Sequence, residues 1–509
     1  MSLHHNAEAD FAAAELARMF VADASLCYAL SGPPGALSAT ASYEPPSSPW
    51  PKSDGVISLL ESVGNRQRDI ALEYKRVQEG AHGLLTAIGQ AQGYIHKGYS
   101  GAAIVVPSAY SVLSAPAQYV RDVLDRVTSN PAIGVFRYDP PDTSHSSPFA
   151  GRLHCVRPLT VNATVIAPRR AAAGPKTQWM HVREGSTTRD AYYRFLQVAK
   201  SIGSPPDPEP RIPQPLRDAC ARLAPGRLAE HLLSSTTNDT LLSRVWRTFW
   251  FDWLATSDVL TPWEEVGGTY RVPQATTRID KDDGTGRSVL WQGRRSSLKA
   301  VLVDKLNAGS VTEDQAWEMF AAGVPSTGAG TQGVQGVIAR AHSYREDLDS
   351  SLAQLGWIDA DGRPTESGYR YASICERYGG ANSTAAADYV GATMLKVGHY
   401  ASFLHYVYRL SEELFSADPL AFTRDGPRGP VFNEESYSEY LAYLQGKLTD
   451  ELKVMRTVSR RDRPRQRTVL QAELTFLRNY GFVSRSRYRL GVGIPVDWEK
   501  VLNSLNLEI

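Results

Sequence analysis

The chain has 509 residues, of which 42% are hydrophobic and 21% charged, with a formal net charge of +1. A length of this order predicts two to four domains, and the near-neutral charge by itself indicates no class of partner. No apolar run reaches the roughly 18 residues that a membrane-spanning helix needs, so we expect no transmembrane segment. The N-terminus shows no basic stretch followed by an apolar one, so we expect no signal peptide.

The four cysteines, Cys27, Cys155, Cys220 and Cys375, are far apart in the sequence, and no CxxC pair occurs. This spacing predicts neither a zinc ribbon nor a disulfide framework. A reducing, cytoplasmic location therefore fits the sequence best.

The N-terminal third of the chain alternates helical and strand-like segments. A fully apolar run bounded by Gly and Pro is typical of a buried strand. The alternation predicts an α/β (α+β) domain with a central mixed sheet flanked by helices. The predicted segments are helices at 8–30, 79–97 and 115–128, strands at 55–60, 69–75, 102–107, 132–138 and 155–168, and loops at 32–53 and 139–150.

The rest of the chain is predicted to be mainly helical after a proline-rich linker. Six prolines between residues 203 and 215 mark the linker. Helices are predicted at 216–235, 238–256, 312–321, 332–355, 366–378, 384–417, 434–458 and 466–480. The predicted division is an α/β domain (1–200), a linker (201–215), a helical recognition domain (216–380) and a second helical domain (381–509).

Two short units in the C-terminal half share the order helix, glycine and strand, followed by a turn. In the first, residues 352–379, a helix ends at Leu355-Gly356, an Asp-Gly turn follows, and Thr365 can cap the next helix. In the second, residues 470–493, a Tyr-Gly pair ends the helix and two strands follow. This order is the pattern of a winged helix, so we expect winged-helix domains in this half.

Charged residues interrupt the two consecutive strand-like runs of the N-terminal domain. Asp54 stands at the start of the first run, and Glu73 and Lys75 lie in the second, "DIALEYKR". Because side chains alternate along a strand, Glu73 and Lys75 project from one face, and a hairpin brings Asp54 beside them. Two carboxylates and the main-chain carbonyl of Tyr74 are the oxygen ligands that Mg²⁺ prefers. Such a metal polarises a phosphate and lowers the pKa of an attacking water, which Lys75 would orient.

A Glu-x-Lys pair alone is a common pattern, and a second one occurs at Glu451 and Lys453 in a predicted helix. The surroundings of the first pair favour a functional role. A partner strand begins after Asp54, and the next helix has Gln90 and Tyr94 one turn apart. The alternative is a surface hairpin whose charges pair with each other. For Gln90 and Tyr94, the alternative is that they satisfy neighbouring backbone groups.

These features resemble the PD-(D/E)xK nuclease superfamily, which includes many restriction endonucleases and repair nucleases. In that family an Asp begins one strand, a Glu-x-Lys lies on the next, and a helix with a Gln often packs over the site. The resemblance runs through Asp54, Glu73 and Lys75, and through Gln90 with Tyr94 on the helix. It implies a restriction-endonuclease-like fold over roughly residues 8–138 and phosphodiester cleavage with Mg²⁺, for which Mn²⁺ can substitute.

The resemblance also implies a glutamate from the first helix, for which Glu8 and Glu15 are the candidates. One departure is that Ser53 stands where the family name has proline, a position that varies in the superfamily. The superfamily is diverse, so the resemblance implies no particular target sequence.

Arginines are concentrated near the C-terminus. Residues 456–489 hold ten arginines against two acids, a local net charge of +8. Such a cluster is an electrostatic footprint for a phosphate backbone. Strand alternation puts Arg485, Arg487 and Arg489 on one face of a wing, where we expect DNA contacts; the alternative is a basic edge that discourages strand pairing. Further candidate DNA contacts are Arg294, Arg295 and Arg363.

No GxxxxGK[ST] sequence occurs, so we expect no ATP-driven step. We predict a metal-dependent endonuclease that cuts double-stranded DNA at a specific sequence, most like a Type II restriction endonuclease. A homodimer is expected, because cutting both strands needs two active sites. The alternatives are a nuclease that depends on modified DNA or acts in a defence complex, and a DNA-binding regulator whose nuclease-like domain is inert.

Overall fold

The structure is a computed structural model, and its residues form two units that are described in turn. The first comprises residues 1–180 and 391–508, and the second residues 181–390. The structure describes residues 4–28, 37–44, 48–61, 66–141, 147–161, 179–180, 182, 188–202, 245, 249, 263–272, 294–322, 341–417, 423–424, 431–432, 442, 446–447, 458–460, 463–465, 470–483 and 496–507.

A six-stranded mixed sheet lies at the centre of the first unit. The strands of this unit's N-terminal region are β1 (Cys27–Tyr28), β2 (Leu37–Ser42), β3 (Gly55–Glu61), β4 (Arg66–Tyr74), β5 (Gly101–Pro107), β6 (Ile133–Tyr138), β7 (Leu153–Arg157) and β8 (Leu159–Thr160). Strands β2 to β7 form the sheet in that spatial order, and β1 pairs with β8 separately. The β2–β3, β3–β4 and β6–β7 pairs are antiparallel, whereas β4–β5 and β5–β6 are parallel. The predicted mixed α/β class is confirmed.

Helices account for most of the remaining described structure. In chain order they are α1 (His5–Ala22), α2 (His82–Lys97), α3 (Pro116–Val123), α4 (Arg189–Ser201), α5 (Arg294–Asn307), α6 (Glu313–Ala322), α7 (Ala341–Gln354), α8 (Glu366–Arg377), α9 (Thr384–Lys396), α10 (Tyr400–Ala417), α11 (Leu470–Asn479) and α12 (Trp498–Asn506). Short antiparallel pairs join β9 (Glu264–Val266) to β10 (Thr269–Arg271), β11 (Thr423–Arg424) to β12 (Val431–Phe432), and β13 (Val458–Arg460) to β14 (Arg463–Arg465). Of the helices described, none combines the length and apolar character needed to cross a membrane.

Helix α1 is buried over most of its surface, because strands β2 and β3 contact it and α10 packs against it as well. Its alanines allow a close approach to the sheet. A Cβ at Gly55 would lie only 3.3 Å from the Cβ of Ala13, so glycine at the start of β3 lets the helix and strand meet closely. The N-terminal helix is thereby held near the strand that begins after Asp54.

Helix α2 connects β4 to β5 and packs on the sheet through one apolar face. Its buried residues recur at helical spacing, as the amphipathic pattern requires. They form one cluster with Ala71 of β4 and Ile104 of β5. Because side chains alternate along a strand, Glu73 and Lys75 project to the same side as Ala71, beneath α2. The buried residues of α2 are Leu84, Ala87, Ile88, Ala91 and Tyr94.

Three sequence-based expectations about this unit were wrong. The predicted helix 8–30 ends at Ala22, and strand β1 (Cys27–Tyr28) lies within its predicted bounds. The predicted loop 32–53 contains strand β2, whose small residues have little apolar pattern but which pairs with β3 along its whole length. The predicted helix 384–417 is two helices, α9 and α10. They are separated near Gly398, where a Cβ would lie 2.8 Å from the Met394 carbonyl oxygen, and His399, which has a positive φ of 58°.

Aromatic side chains form the core of the second unit. The rings of Trp357 and Tyr371 stack with centroids 4.5 Å apart, and Tyr192 meets Trp357 edge to face at 5.6 Å. The Tyr371 hydroxyl donates a hydrogen bond of 2.8 Å to the Arg189 carbonyl oxygen. These contacts join α4 to α8 and to the segment between α7 and α8.

The first predicted winged-helix unit is a helix, a turn and a second helix. The predicted strand after α7 is reduced to a single bridge between Ile358 and Pro364. The Asp359 side chain accepts hydrogen bonds of 2.9 Å from the N–H groups of Asp361 and Arg363 in the turn. Thr365 caps α8 by accepting a hydrogen bond from an N–H in its first turn, as predicted. The winged helix itself stays a prediction.

The second predicted winged-helix unit is described only in part. Helix α11 ends at Asn479, before Gly481, and Val483 then pairs in antiparallel fashion with Val496. The predicted wing residues Arg485, Arg487 and Arg489 lie outside the described residues. The predicted linker and the helices at 216–235, 238–256 and 434–458 fall wholly or largely outside them as well.

Candidate active site

The antiparallel register of β3 and β4 brings Asp54 to the end of β4. Gly55 pairs with Leu72, and the Asp54 N–H donates to the Leu72 carbonyl oxygen at 3.0 Å. The Asp54 carboxylate in turn accepts a hydrogen bond of 2.8 Å from the N–H of Tyr74. Asp54 is therefore fixed beside Glu73 by main-chain contacts, as the predicted hairpin requires.

Glu73 and Lys75 form a buried ion pair beneath α2. The Lys75 Nζ lies 2.8 Å from Glu73 Oε1 and 3.2 Å from Glu79 Oε2. Glu73 is only 1% exposed and Lys75 only 7%. The charges thus pair with each other, as the surface-hairpin alternative supposed, but they do so in a buried setting.

Helix α2 contributes both of its predicted residues to this cluster. The Lys75 Nζ donates a hydrogen bond of 3.3 Å to Gln90 Oε1. The Tyr94 hydroxyl contacts Glu73 Oε2 and lies 2.8 Å from the Lys52 carbonyl oxygen. Residues four apart on a helix share one face, so Gln90 and Tyr94 meet Lys75 and Glu73 from the same side.

Burial raises the pKa values of both carboxyl groups. At Glu73, burial and then the nearby charge of Asp54 raise the pKa to about 7, although Lys75 and Tyr94 work in the opposite direction. At Asp54, burial raises the pKa to about 6 against the Tyr74 hydrogen bond and the Lys75 charge. At Lys75, burial favours a lower pKa, but Glu73 and Glu79 outweigh it and raise the pKa. Two acids that resist ionisation beside a lysine indicate a site that favours additional positive charge.

The donor atoms fit a hard divalent cation in their chemistry. The Asp54 and Glu73 carboxylates and the Tyr74 carbonyl are oxygen ligands, and a cation among them would relieve the repulsion that raises the Glu73 pKa. Within the described part of the chain, no group of three or more His, Cys, Asp or Glu side chains is arranged to hold a metal ion. The fit therefore depends on two carboxylates and a carbonyl, and Mg²⁺ characteristically keeps several waters in such sites.

The first helix contributes a histidine to the cluster. His5 Nε2 lies 3.3 Å from the Tyr74 carbonyl oxygen, 4.0 Å from Asp54 Oδ2 and 3.9 Å from Glu79 Oε1. His5 is not among the residues predicted from the sequence. Its one local signal is its position one helical turn before Glu8, a candidate site residue.

The two candidate glutamates of α1 have other contacts. Glu8 lies 3.2 Å from the guanidinium of Arg76. Glu15 Oε2 contacts His405 Nε2 at 2.8 Å and Arg409 Nε at 3.2 Å, both on α10. Glu15 therefore joins α1 to α10, and Glu8 pairs with the residue that follows Lys75.

The predicted DNA contacts are described less completely. Arg363 is exposed in the turn before α8, within the second unit. Arg294 and Arg295 begin α5, and their side chains lie outside the description. In a scan of protein-family models and a search of curated proteins, nothing matches this chain.

Proposed function

We propose that the chain is a Mg²⁺-dependent DNA endonuclease with a restriction-endonuclease-like N-terminal fold. The observation that supports this most is the buried cluster of Asp54, Glu73 and Lys75 where β3 begins and β4 ends. Both carboxyl groups have raised pKa values there, and α2 covers them with Gln90 and Tyr94. Asp54 before one strand, Glu-x-Lys on the next and a Gln-bearing helix over both are also the features of the PD-(D/E)xK resemblance.

Asp54, Glu73 and the Tyr74 carbonyl would hold the metal, which when bound supplies a Lewis acid and lowers the pKa of water. Lys75 stays protonated, because Glu73 and Glu79 raise its pKa. Its ammonium can therefore donate hydrogen bonds to a water or to a phosphoryl oxygen on which negative charge develops. Gln90 accepts from the same ammonium and so orients it. Tyr94 fixes the Glu73 carboxylate through its hydroxyl.

The proposed substrate is double-stranded DNA, and the proposed assembly is a homodimer that needs no ATP. The support for DNA is the +8 arginine cluster of residues 456–489 and the exposed side of α8 in the second unit. Tyr369 and Arg370 are exposed on that helix, directly after the turn that contains Arg363. Arginine and tyrosine suit contacts with phosphates and bases. The thiols of Cys27, Cys155 and Cys375 are free, which fits the proposed cytoplasmic location.

Cleavage of supercoiled plasmid tests the proposal. The wild-type chain should convert it to nicked and linear forms with Mg²⁺ or Mn²⁺ and leave it intact in EDTA. Asp54→Asn should abolish cleavage, because it removes a proposed ligand of the metal. Asp122→Asn is the matched control, since Asp122 is a half-exposed carboxylate on α3 paired with Arg121. No cleavage by the wild type, or equal cleavage by Asp54→Asn, would overturn the assignment.

Sequencing the ends of digested genomic DNA separates the alternatives. A sequence-specific enzyme leaves ends that share one motif in unmodified DNA. An enzyme that depends on base modification cuts modified DNA and leaves unmodified DNA intact. A DNA-binding regulator binds DNA but leaves every substrate intact with either Mg²⁺ or Mn²⁺.

A further inference from the structure

A tryptophan beside the proposed site projects into solvent. Trp50 stands four positions before Asp54, and at 87% it is the most exposed large hydrophobic side chain among the described residues. An indole offers more apolar surface than almost any other side chain, and burying it would stabilise the fold. The exposed ring is therefore a surface on which an aromatic group of a ligand can be buried.

The backbone on both sides of Trp50 is firmly held. The ammonium of Lys97 donates hydrogen bonds of 2.7 Å to the carbonyl oxygens of both Pro49 and Pro51. It also contacts the buried carboxylate of Glu44 at 2.9 Å. One lysine thus ties the residue before the tryptophan and the residue after it to the C-terminal end of α2. Trp50 is an exposed ring on an anchored segment.

The same segment rests on the helix that covers the site. A Cβ at Gly93 would lie 3.1 Å from Pro51 Cγ, so the glycine makes room for the proline against α2. One residue later, the Lys52 carbonyl oxygen lies 2.8 Å from the hydroxyl of Tyr94, which also contacts Glu73. A single tyrosine therefore links the tryptophan segment to the proposed metal ligand.

The chain length limits how far Trp50 can lie from the site. Four residues span at most about 14 Å, so the two Cα atoms of Trp50 and Asp54 are no farther apart than that. Successive nucleotides of a stacked strand are about 3.4 Å apart. A base that meets the Trp50 ring therefore lies only a few nucleotides from a phosphate held at Asp54.

We propose that Trp50 stacks on an unpaired base of the DNA strand near the phosphate that is cut. In a paired duplex both faces of a base are covered by its neighbours, whereas an unpaired base has a face free to stack on an aromatic ring. The position beside the site rests on the proposed function, while the stacking itself depends only on the anchored, exposed ring. Among double-stranded substrates, the preferred one is then a duplex with a gap, a flap or a single-stranded end near the cut.

Binding in EDTA tests this without cleavage. Fluorescence anisotropy would measure the affinity of the full chain for two labelled DNAs, a duplex with a short single-stranded gap and the same duplex fully paired. We expect the wild type to prefer the gapped DNA. Trp50→Ala should weaken that binding about 5- to 100-fold and leave the paired DNA unaffected, as loss of one stacked base predicts. Trp50→Phe should retain part of the affinity, because its ring still stacks.

Tyr119→Ala is the matched control, because it removes another exposed aromatic ring, on α3. It should leave both affinities unchanged. The proposal is wrong if the wild type binds no DNA, if it shows no preference for the gap, or if Trp50→Ala binds gapped DNA as tightly as the wild type. A change in oligomeric state on size-exclusion chromatography with unchanged DNA binding would assign Trp50 to a protein contact instead.

The two proposals fail separately. If Trp50→Ala loses gap binding but the wild type never cuts DNA with any divalent metal, the stacking proposal stands and the nuclease proposal falls. If the wild type cuts and Trp50→Ala cuts and binds equally well, the nuclease proposal stands and the stacking proposal falls.

Discussion

Binding of a divalent metal at the proposed site must displace protons from Glu73 and Asp54. In the metal-free protein the pKa is about 7 for Glu73 and about 6 for Asp54. Burial raises both pKa values most, the charge of Asp54 also raises that of Glu73, and the charge of Glu79 also raises that of Asp54. A metal binds only the ionised carboxylates. At about pH 5.5 nearly two protons must leave, whereas at about pH 8 almost none do. The apparent affinity for the metal should therefore be about a hundredfold weaker at about pH 5.5 than at about pH 8.

Isothermal titration calorimetry with Mg²⁺ or Mn²⁺ in buffers of different ionisation enthalpy measures both the affinity and the protons released. Glu73→Gln and Asp54→Asn should each weaken metal binding. Each should also lower the number of protons released on metal binding at about pH 5.5 by about one. Asp122→Asn, which alters a half-exposed carboxylate on α3, should behave as the wild type does. With ordinary pKa values the affinity would barely change over this range, and a pH-independent affinity would refute the reasoning.

Three further predictions concern stability, measured as the free energy of unfolding of the metal-free protein by chemical denaturation. The Glu73 pKa is raised from 4.5 to about 7, so its stabilising contribution is complete below about pH 4.5 and is lost as pH rises through 7. Glu73→Gln should therefore stabilise by about 3 kcal/mol at pH 8 and have no effect at pH 4. Equal effects at both pH values would contradict this. Tyr94→Phe removes a hydroxyl that contacts Glu73 and should destabilise by about 1–3 kcal/mol. Tyr110→Phe is its control, since that buried hydroxyl has no hydrogen-bond partner among the described residues, and should be neutral or stabilising. Glu15→Gln breaks buried contacts with His405 on α10 and should destabilise by about 3–5 kcal/mol; a neutral result would show that α10 does not depend on this pair.

The hairpin that presents Asp54, Glu73 and Lys75 could be predicted from the sequence because its signals are local. Apolar alternation defines β3 and β4, and strand geometry alone puts Glu73 and Lys75 on one face. The contacts of Gln90 and Tyr94 follow from the same kind of reasoning, since residues four apart on a helix share a face. The register of the hairpin brings Asp54 to Glu73, and the docking of α2 on the sheet brings Gln90 and Tyr94 to them.

His5 and the packing of α10 on α1 could not be predicted in the same way. His5 reaches the cluster because α1 lies across the sheet, and no local pattern specifies where a helix docks. The contacts of Asp10 with His399 and of Glu15 with His405 join residues that are far apart in the chain. Strand β2 was missed for a related reason, because its conformation depends on pairing with β3 more than on its own composition.

The claim that the first Glu-x-Lys is the catalytic one is tested most directly by comparison with the second, Glu451 and Lys453. Plasmid cleavage with Mg²⁺ should be compared for the wild type, Lys75→Ala and Lys453→Ala. Lys75 contacts Glu73 and Gln90 beneath α2, whereas Lys453 belongs to the same three-residue pattern elsewhere in the sequence. Loss of cleavage in Lys75→Ala with normal cleavage in Lys453→Ala is the result we predict. Normal cleavage in Lys75→Ala would contradict the assignment of the site.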